Sequence, residues 1–287
     1  MEFTAEQMAR FKELVYDRSH LSFPRSREQQ LRQFLAQRAK AGAYRSGDEY
    51  FQVLSSDDAE FAHLITLITT RETYFFRMPG QFEALRNLVL PAIAEREGKN
   101  SLHSLSRGER SRMKLRAWSA GCATGQEAYS LSMQVLDSLR YPRAWDIQVL
   151  GTDINATALA TARIGHYDTT RLGQLPPRFR ERYFQVRAPD EIAVSDEVKA
   201  ITEFQVMNFR DLPSQASFLS AFDVIFCRNV MIYFDLPAQQ GLITALSACL
   251  KPGGYFFTGE GEVLHLYNHE LEVVENGGCS FYRRPER

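Results

Sequence analysis

Apolar residues recur at helical spacing early in the chain: Met8, Phe11, Leu14 and Val15, then Leu31, Phe34 and Leu35, then Phe51 and Leu54, then Phe61, Leu64, Ile65 and Ile68. Polar residues fill the opposite faces, which predicts a small all-helical domain over residues 1–90. Further on, strand-like runs at 115–119, 147–152, 201–206, 222–227 and 255–258 alternate with helical stretches. That alternation predicts a mainly parallel sheet covered on both faces, spanning 115–287. Between the two units, residues 98–114 (GKNSLHSLSRGERSRMK) are polar and basic with little periodicity, so they read as a flexible surface linker to about 114. Asp235 followed by Pro237 starts a late helix with the stripe Leu242, Leu246, Cys249 and Leu250, and Lys251-Pro252-Gly253-Gly254 ends it. Asn276-Gly277-Gly278 offers a turn into a last strand at 280–283, expected to return antiparallel at the sheet edge.

Length and composition narrow the class. A chain of 287 residues buries a substantial core and is expected to hold one large and one smaller domain. A net charge of −1 excludes bulk polyelectrolyte behaviour, so an acidic partner must be met by a local basic patch. The start is not signal-like and no apolar run approaches ~18 residues, which predicts a cytoplasmic protein without membrane insertion. The four cysteines lack CxxC spacing and read as reduced thiols, neither zinc ligands nor a disulfide framework. His63, His166 and His265 show no ligand spacing, and no metal is expected.

The chemistry begins where the run at 115–119 breaks into Gly121 and Gly125 and restarts as a helix (LRAWSAGCATGQEAYSL, 115–131). Glycine there lets backbone approach a ligand and aims the next helix N-terminus into a pocket, as nucleotide-type cofactors require. A phosphate loop needs GxxxxGK followed by Ser or Thr, whereas Gly125 is followed by Gln126 and Glu127, and a carboxylate there repels phosphate. A dinucleotide site needs GxGxxG, and this loop has no third glycine. Glu127 suits a ligand with a cationic amino group and a sulfonium-linked nucleoside, which describes S-adenosyl-L-methionine. The run at 147–152 ends on Asp153, where a carboxylate can accept both ribose hydroxyls; taken alone, Asp153 also reads as a helix N-cap or turn residue. Its distance from Gly121 exceeds the ~20 residues typical of dinucleotide folds, and the helix from Gln126 plus a loop with Pro142 takes up the excess.

TRETYFFR (70–77), AWSAGCATGQEAYSL (117–131), GTDIN (151–155), NFRDLP (208–213), FDVIFCRNVMIYFD (222–235) and LKPGGYFFTGEGE (250–262) stand in this order along the chain. Together they resemble the CheR-type family, the glutamate O-methyltransferases of chemotaxis receptors, over nearly the whole chain. The FFR and CRNVMIYF segments carry more of that likeness than the glycine loop. The resemblance implies an α/β fold: a Rossmann-like class I S-adenosylmethionine-dependent methyltransferase sheet, an N-terminal all-helical domain and a small antiparallel β insert at about 164–202. It implies methyl-ester formation on receptor glutamates, with S-adenosyl-L-homocysteine as product. By position it implies that Thr73 and Arg77 reach the cofactor, with Arg77 near the transferring methyl. Glu127 and Asp153 would hold the methionine amino group and the ribose, and Gly121 would lie against the cofactor. Asn208 and Phe209 would flank the adenine, Arg228 and Asn229 would line the pocket, and Tyr233 would face the methyl group. Arg71 and Gln126 depart from the family's usual Asn and Glu, and only the first puts a polar cofactor contact in doubt.

The reaction asks for such residues independently. A glutamate is already ionised at pH 7, its reference pKa being about 4.3, so methyl transfer to it needs no general base. It needs the carboxylate held in line with the leaving sulfur inside a closed pocket. Arg77 would orient that carboxylate by a fork contact, and Tyr233 would fix its second oxygen or pack beside the methyl. Charge is neutralised along the path, so Arg77 is assigned positioning rather than transition-state stabilisation.

Residues 18–45 carry Arg18, Arg25, Arg27, Arg32, Arg38, Lys40 and Arg45 against the single acid Glu28. Such a face is either simply solvated or, as the resemblance favours, a patch for the acidic methylation helices of a receptor. It has no interleaved stacking residues of the kind that would mark a nucleic-acid surface, and no nucleic-acid partner is expected. Some family members dock a receptor C-terminal pentapeptide on the insert through a Gly-x-Gly loop. The corresponding stretch here, YFQVRAPDEIAVSDEV (183–198), has no glycine, so independence of that tether is expected, as is a monomer. Two other functions stay open on sequence alone: a cofactor-binding sensor or scaffold without turnover, and a methyltransferase for a different acceptor.

Overall fold

The computed structural model describes residues 1–69, 73–107, 112–172 and 175–286. The first helix, α1 (Ala5–Ser19), opens on a capping box. The Thr4 hydroxyl accepts from the Gln7 N–H while the Gln7 side chain accepts from the Thr4 N–H. It is followed by α2 (Glu28–Ala41), α3 (Gly47–Ser56) capped by Ser46, and α4 (Asp58–Ile68) capped by Asp57. Their apolar stripes close on one another, burying Met8, Phe11, Val15, Leu31, Leu35, Leu54 and Leu64.

This helical cluster ends at Ile68. Phe75, Phe76, Phe82, Leu85, Val89 and Ile93 pack into the core of the sheet instead, although α5 (Pro79–Ala84), a π turn at Leu85–Val89 and α6 (Leu90–Ser106) are themselves helical. Packing therefore changes partner well before the division near 90 that the pattern suggested. The expected linker differs as well. Residues 98–106 continue α6, which buries only Leu90 and Ile93, so its outer turns are solvated and carry no apolar period to read. A Glu95–Lys99 pair one turn apart supports that stretch. Residues 108–111 of the expected linker lie outside the described residues.

The α/β unit runs β1 (Met113–Ala120), α7 (Gln126–Ser138), β2 (Trp145–Asp153), α8 (Ala156–Ile164), β3 (His166–Asp168), α9 (Pro177–Tyr183), β4 (Phe184–Ala188) and β5 (Glu191–Val194). It continues with α10 (Asp196–Lys199), β6 (Thr202–Val206), β7 (Phe222–Cys227), α11 (Leu236–Cys249), β8 (Leu250–Thr258), β9 (Glu272–Asn276) and β10 (Cys279–Arg283). The main sheet has seven strands in the order β6-β2-β1-β7-β8-β10-β9. The first five are parallel neighbours, and β10 runs antiparallel to both β8 and β9.

The last strand is thus antiparallel but does not sit at the edge, as had been expected; β9 does. Burial explains the order. In β10 Phe281 and Tyr282, which point to opposite faces, are both buried, whereas β9 presents Glu272, Val273 and Glu275 to solvent. The Lys251-Pro252-Gly253-Gly254 stretch lies within β8, where pairing with β7 shifts register between Phe222 and Val224. Alternation along β7 divides the core: Val224 and Phe226 join the face covered by α6 and α7, and Ile225 and Cys227 the face covered by α11.

The insert forms a separate antiparallel sheet in the order β3-β5-β4, with β4 at its outer edge. Among the described residues no helix is long and apolar enough to cross a membrane.

Candidate active site

One cavity opens at the carboxyl ends of β1, β2, β6 and β7, where ligands of open α/β sheets bind. All ten site residues anticipated from the sequence line it: Thr73, Arg77, Gly121, Glu127, Asp153, Asn208, Phe209, Arg228, Asn229 and Tyr233. Its floor is the glycine loop. The N–H groups of Gly121 and Cys122 both donate to Thr152 O, at 2.8 and 2.9 Å, tying the loop to the end of β2. Gly121 adopts φ +85°, and a Cβ there would come within 2.4 Å of Val230 Cγ2.

Asn155 is the N-cap of α8, and Asp153, which ends β2, holds the turn before it. Asp153 Oδ1 accepts the Asn155 N–H at 2.8 Å and its Oδ2 the Ala123 N–H at 2.9 Å, while the residue lines the cavity. Burial pushes its carboxyl pKa above the ordinary range, against the opposing pull of the backbone N–H groups of Asn155, Ala123 and Ile154.

Glu127 enters the cavity already engaged. Ser119 Oγ donates to its Oε1 and Arg228 Nε to its Oε2, both at 2.7 Å. Arg228 Nη1 also donates to Arg77 O at 2.6 Å and to Gln81 Oε1 at 3.1 Å, and Gln81 Nε2 donates to Thr258 O at 2.9 Å. The buried ion pair therefore fixes the backbone of Arg77 as well as its own two members. Breaking such a pair by removing one partner costs about 3–5 kcal/mol.

These features match known proteins in sequence. Residues 71–277 match the family described as CheR methyltransferase, SAM binding domain, and residues 6–69 match CheR methyltransferase, all-alpha domain. The chain is similar to chemotaxis protein methyltransferase 1 of Pseudomonas aeruginosa, at 36% identity over 77% of this chain and 76% of that one. It is similar to the chemotaxis protein methyltransferase of Borreliella burgdorferi at 29% identity, over 96% of this chain and 93% of that one. A probable chemotaxis protein methyltransferase of Rhizobium etli is 34% identical over 82% of this chain and 83% of its own. The chain belongs to the CheR methyltransferase family. It is an S-adenosylmethionine-dependent methyltransferase.

In this CheR methyltransferase the cavity fits that cofactor. It offers the Glu127 and Asp153 carboxylates, the Arg228 guanidinium and an apolar side formed by Ile154, Met207 and Phe209. Asn229 Oδ1 is buried without a partner among the described residues, an acceptor left for a ligand. Cys122 is no competing nucleophile, because burial holds its thiol pKa well above the ordinary value.

Three lining residues, Ser19, Leu21 and Thr69, come from the helical unit and were not anticipated. No local motif marks them; they reach the cavity through contacts distant in sequence. Ser22 N–H donates to Tyr233 O at 2.8 Å, Leu21 pairs with Phe234 in an isolated antiparallel bridge, and Asn155 Nδ2 donates to Thr69 Oγ1 at 2.9 Å. Asn208 also belongs to this closure: its Nδ2 donates to Arg18 O at 2.6 Å and its Oδ1 accepts the Arg210 N–H at 3.1 Å. Gln126 accepts from Thr124 Oγ1 at 2.8 Å, and Arg71 lies outside the described residues.

The basic segment splits. Arg18 pairs with Asp58 and stacks on Phe61, Arg32 donates to Phe3 O and Arg38 pairs with Glu60, so these three hold the helical unit together. Arg25, Lys40 and Arg45 are exposed, and the Arg27 guanidinium lies 5.3 Å from the Tyr233 ring centroid.

Proposed function

We propose that this methyltransferase esterifies glutamate side chains on the cytoplasmic methylation helices of chemoreceptors, giving glutamate methyl esters and S-adenosyl-L-homocysteine, as in chemosensory adaptation. The observation that carries this reading is the state of the cavity's charges. Both lining carboxylates, Glu127 and Asp153, are already held by protein donors, whereas the Arg77 guanidinium has no carboxylate partner among the described residues. A pocket whose two carboxylates are both engaged and whose Arg77, lying over the Tyr74 ring, has no carboxylate partner among the described residues suits an acceptor that arrives ionised.

S-adenosylmethionine, when bound, supplies a methyl carbon activated by the sulfonium. Around it, Glu127 is assigned to the amino group, Arg228 and Thr73 to its surroundings, Asp153 to the ribose, and Phe209 and Asn208 to the adenine side. Arg77 turns the incoming carboxylate by a two-point contact, and Tyr233 closes the opposite side of the entrance. Arg27 beside Tyr233 and the exposed Arg25 form the receptor-facing part of the basic segment, since Arg18, Arg32 and Arg38 are engaged internally.

The outer edge of β4 is open, with Val186 74% exposed, but the β4–β5 turn at Pro189 and Asp190 contains no glycine. This favours independence of a receptor C-terminal pentapeptide. Micromolar or tighter binding of such a peptide by calorimetry would overturn that part of the proposal.

The main test is transfer of labelled methyl from S-adenosylmethionine to receptor-enriched membranes. Base-labile label is expected, and Arg77→Lys should lower kcat/KM for the receptor by about tenfold or more, because an ammonium cannot make the paired contact. Base-stable label would mean methylation at nitrogen and another acceptor. Cofactor binding with no transfer to any receptor preparation would point to a sensor.

A further inference from the structure

We propose that Glu262, which does not line the cavity, is a positioning residue for methyl transfer: its carboxylate builds the loop from Asn229 to Tyr233 that forms one wall of the pocket. Glu262 follows β8 and is only 7% exposed. Its Oε2 accepts the N–H groups of Asn229 at 2.7 Å and Gly259 at 2.8 Å, and its Oε1 accepts the N–H of Met231 at 2.9 Å. Three backbone donors from two segments thus converge on one side chain. Regular structure in the segment it gathers is limited to the single 3-10 turn at Met231–Tyr233, which begins after Asn229, and Asn229 itself adopts φ +59°, a left-handed conformation uncommon for residues with a side chain although asparagine takes it more readily than most.

The neighbouring glycine is shaped to this contact. A Cβ on Gly259 would lie 2.4 Å from Glu262 Oε2 and 2.7 Å from the Asn229 nitrogen, so the carboxylate and the loop backbone occupy the space a side chain would need. The loop so fixed carries Val230 against Gly121, Ile232 and Tyr233 into the cavity wall, and the Tyr233 carbonyl that receives the Ser22 N–H. One carboxylate therefore sets the cofactor-side wall, the acceptor-side tyrosine and a contact to the helical unit. A glutamine has a single acceptor oxygen and would turn an N–H donor towards one of these N–H groups, leaving a buried donor unpaired.

The test uses the full chain carrying Glu262→Gln, with Glu262→Ala as the more severe variant. Hydrogen exchange, calorimetric affinity for S-adenosylhomocysteine and steady-state transfer are measured on each. We expect faster exchange confined to peptides covering 228–234 and 259–262, about tenfold weaker product affinity and about tenfold or greater loss of kcat per folded molecule. Local loosening with unchanged affinity and kcat would overturn the proposal. So would exchange raised throughout the chain with full activity in the folded fraction, since that is a purely structural role. If Glu262→Ala does not fold, Glu262→Gln alone decides between these outcomes. Binding of S-adenosylhomocysteine is read without any acceptor, so an error in the receptor assignment would leave that arm intact.

Discussion

Asp153 shows how a buried carboxylate on the cavity wall can weaken a fold. Burial raises its pKa, so the folded chain binds this proton more tightly than the unfolded chain does. As pH rises from the unfolded value of about 3.9 through the higher folded value, the unfolded state releases the proton first and folding is progressively penalised. Read downward from pH 7, the ligand-free protein should gain stability relative to Asp153→Asn. Affinity for S-adenosylhomocysteine should fall over the same window as Asp153, the proposed ribose acceptor, is protonated. Denaturant unfolding and calorimetry from pH 7 down towards the unfolded value check both slopes, with the Asn variant cancelling Glu262, whose carboxyl is raised in the same direction. Parallel slopes would remove Asp153 from the ribose. At this scale much of the cavity lining was legible, because Arg77, Glu127, Asp153 and Tyr233 sit in segments with local signatures. The partners that hold them were not: Ser119 on Glu127, Gln81 on Arg228 and Glu262 on Asn229 are chosen by geometry across the sheet, and a lone Ser, Gln or Glu carries no such signal.

Among the elements, the inner strands were the most readable: β7 (FDVIFC) and the 255–258 part of β8 are apolar at nearly every position because a parallel sheet covered on both faces buries them. The outer half of α6 was hidden for the opposite reason, being solvated on nearly every side, and the place of β10 inside the sheet depends on Phe281 and Tyr282 finding opposite faces. The turn from β1 into α7 joins the two kinds of information. Gly125 has φ +93°, and a Cβ there would stand 2.7 Å from Ala162 Cβ on α8 and 3.1 Å from Tyr167 Oη on β3. Backbone strain and overpacking act together at such a position, each worth about 1–2 kcal/mol. Gly125→Ala should therefore lower the unfolding free energy by about 2–4 kcal/mol in denaturant titration. A change within ~0.5 kcal/mol, as at an ordinary surface site, would mean that the turn is free to relax.

For the molecule as a whole, the division into a helical unit and an α/β unit was visible in the pattern, but their joint enclosure of the cavity was not. It rests on pairs such as Ser22 with Tyr233, Arg18 with Asn208 and Thr69 with Asn155, too far apart in the chain for any local period to register. The arrangement makes the helical unit part of the candidate cofactor site, since Ser19, Leu21 and Thr69 line the same cavity as Glu127 and Asp153. A ligand touching both units stabilises only the closed arrangement, and at a hundred times its dissociation constant that linkage amounts to about 2.7 kcal/mol. Saturating S-adenosylhomocysteine should therefore slow amide exchange in peptides covering 19–23 as well as 119–127. The Ser22 amide, which donates to Tyr233 O, is the most direct reporter. Arg45 and Lys40, exposed and outside the cavity lining, should report no change in their own stretch of backbone. Protection confined to the α/β unit would show that the cofactor binds without the helical unit. The helical unit would then be left with the proposed receptor contact alone.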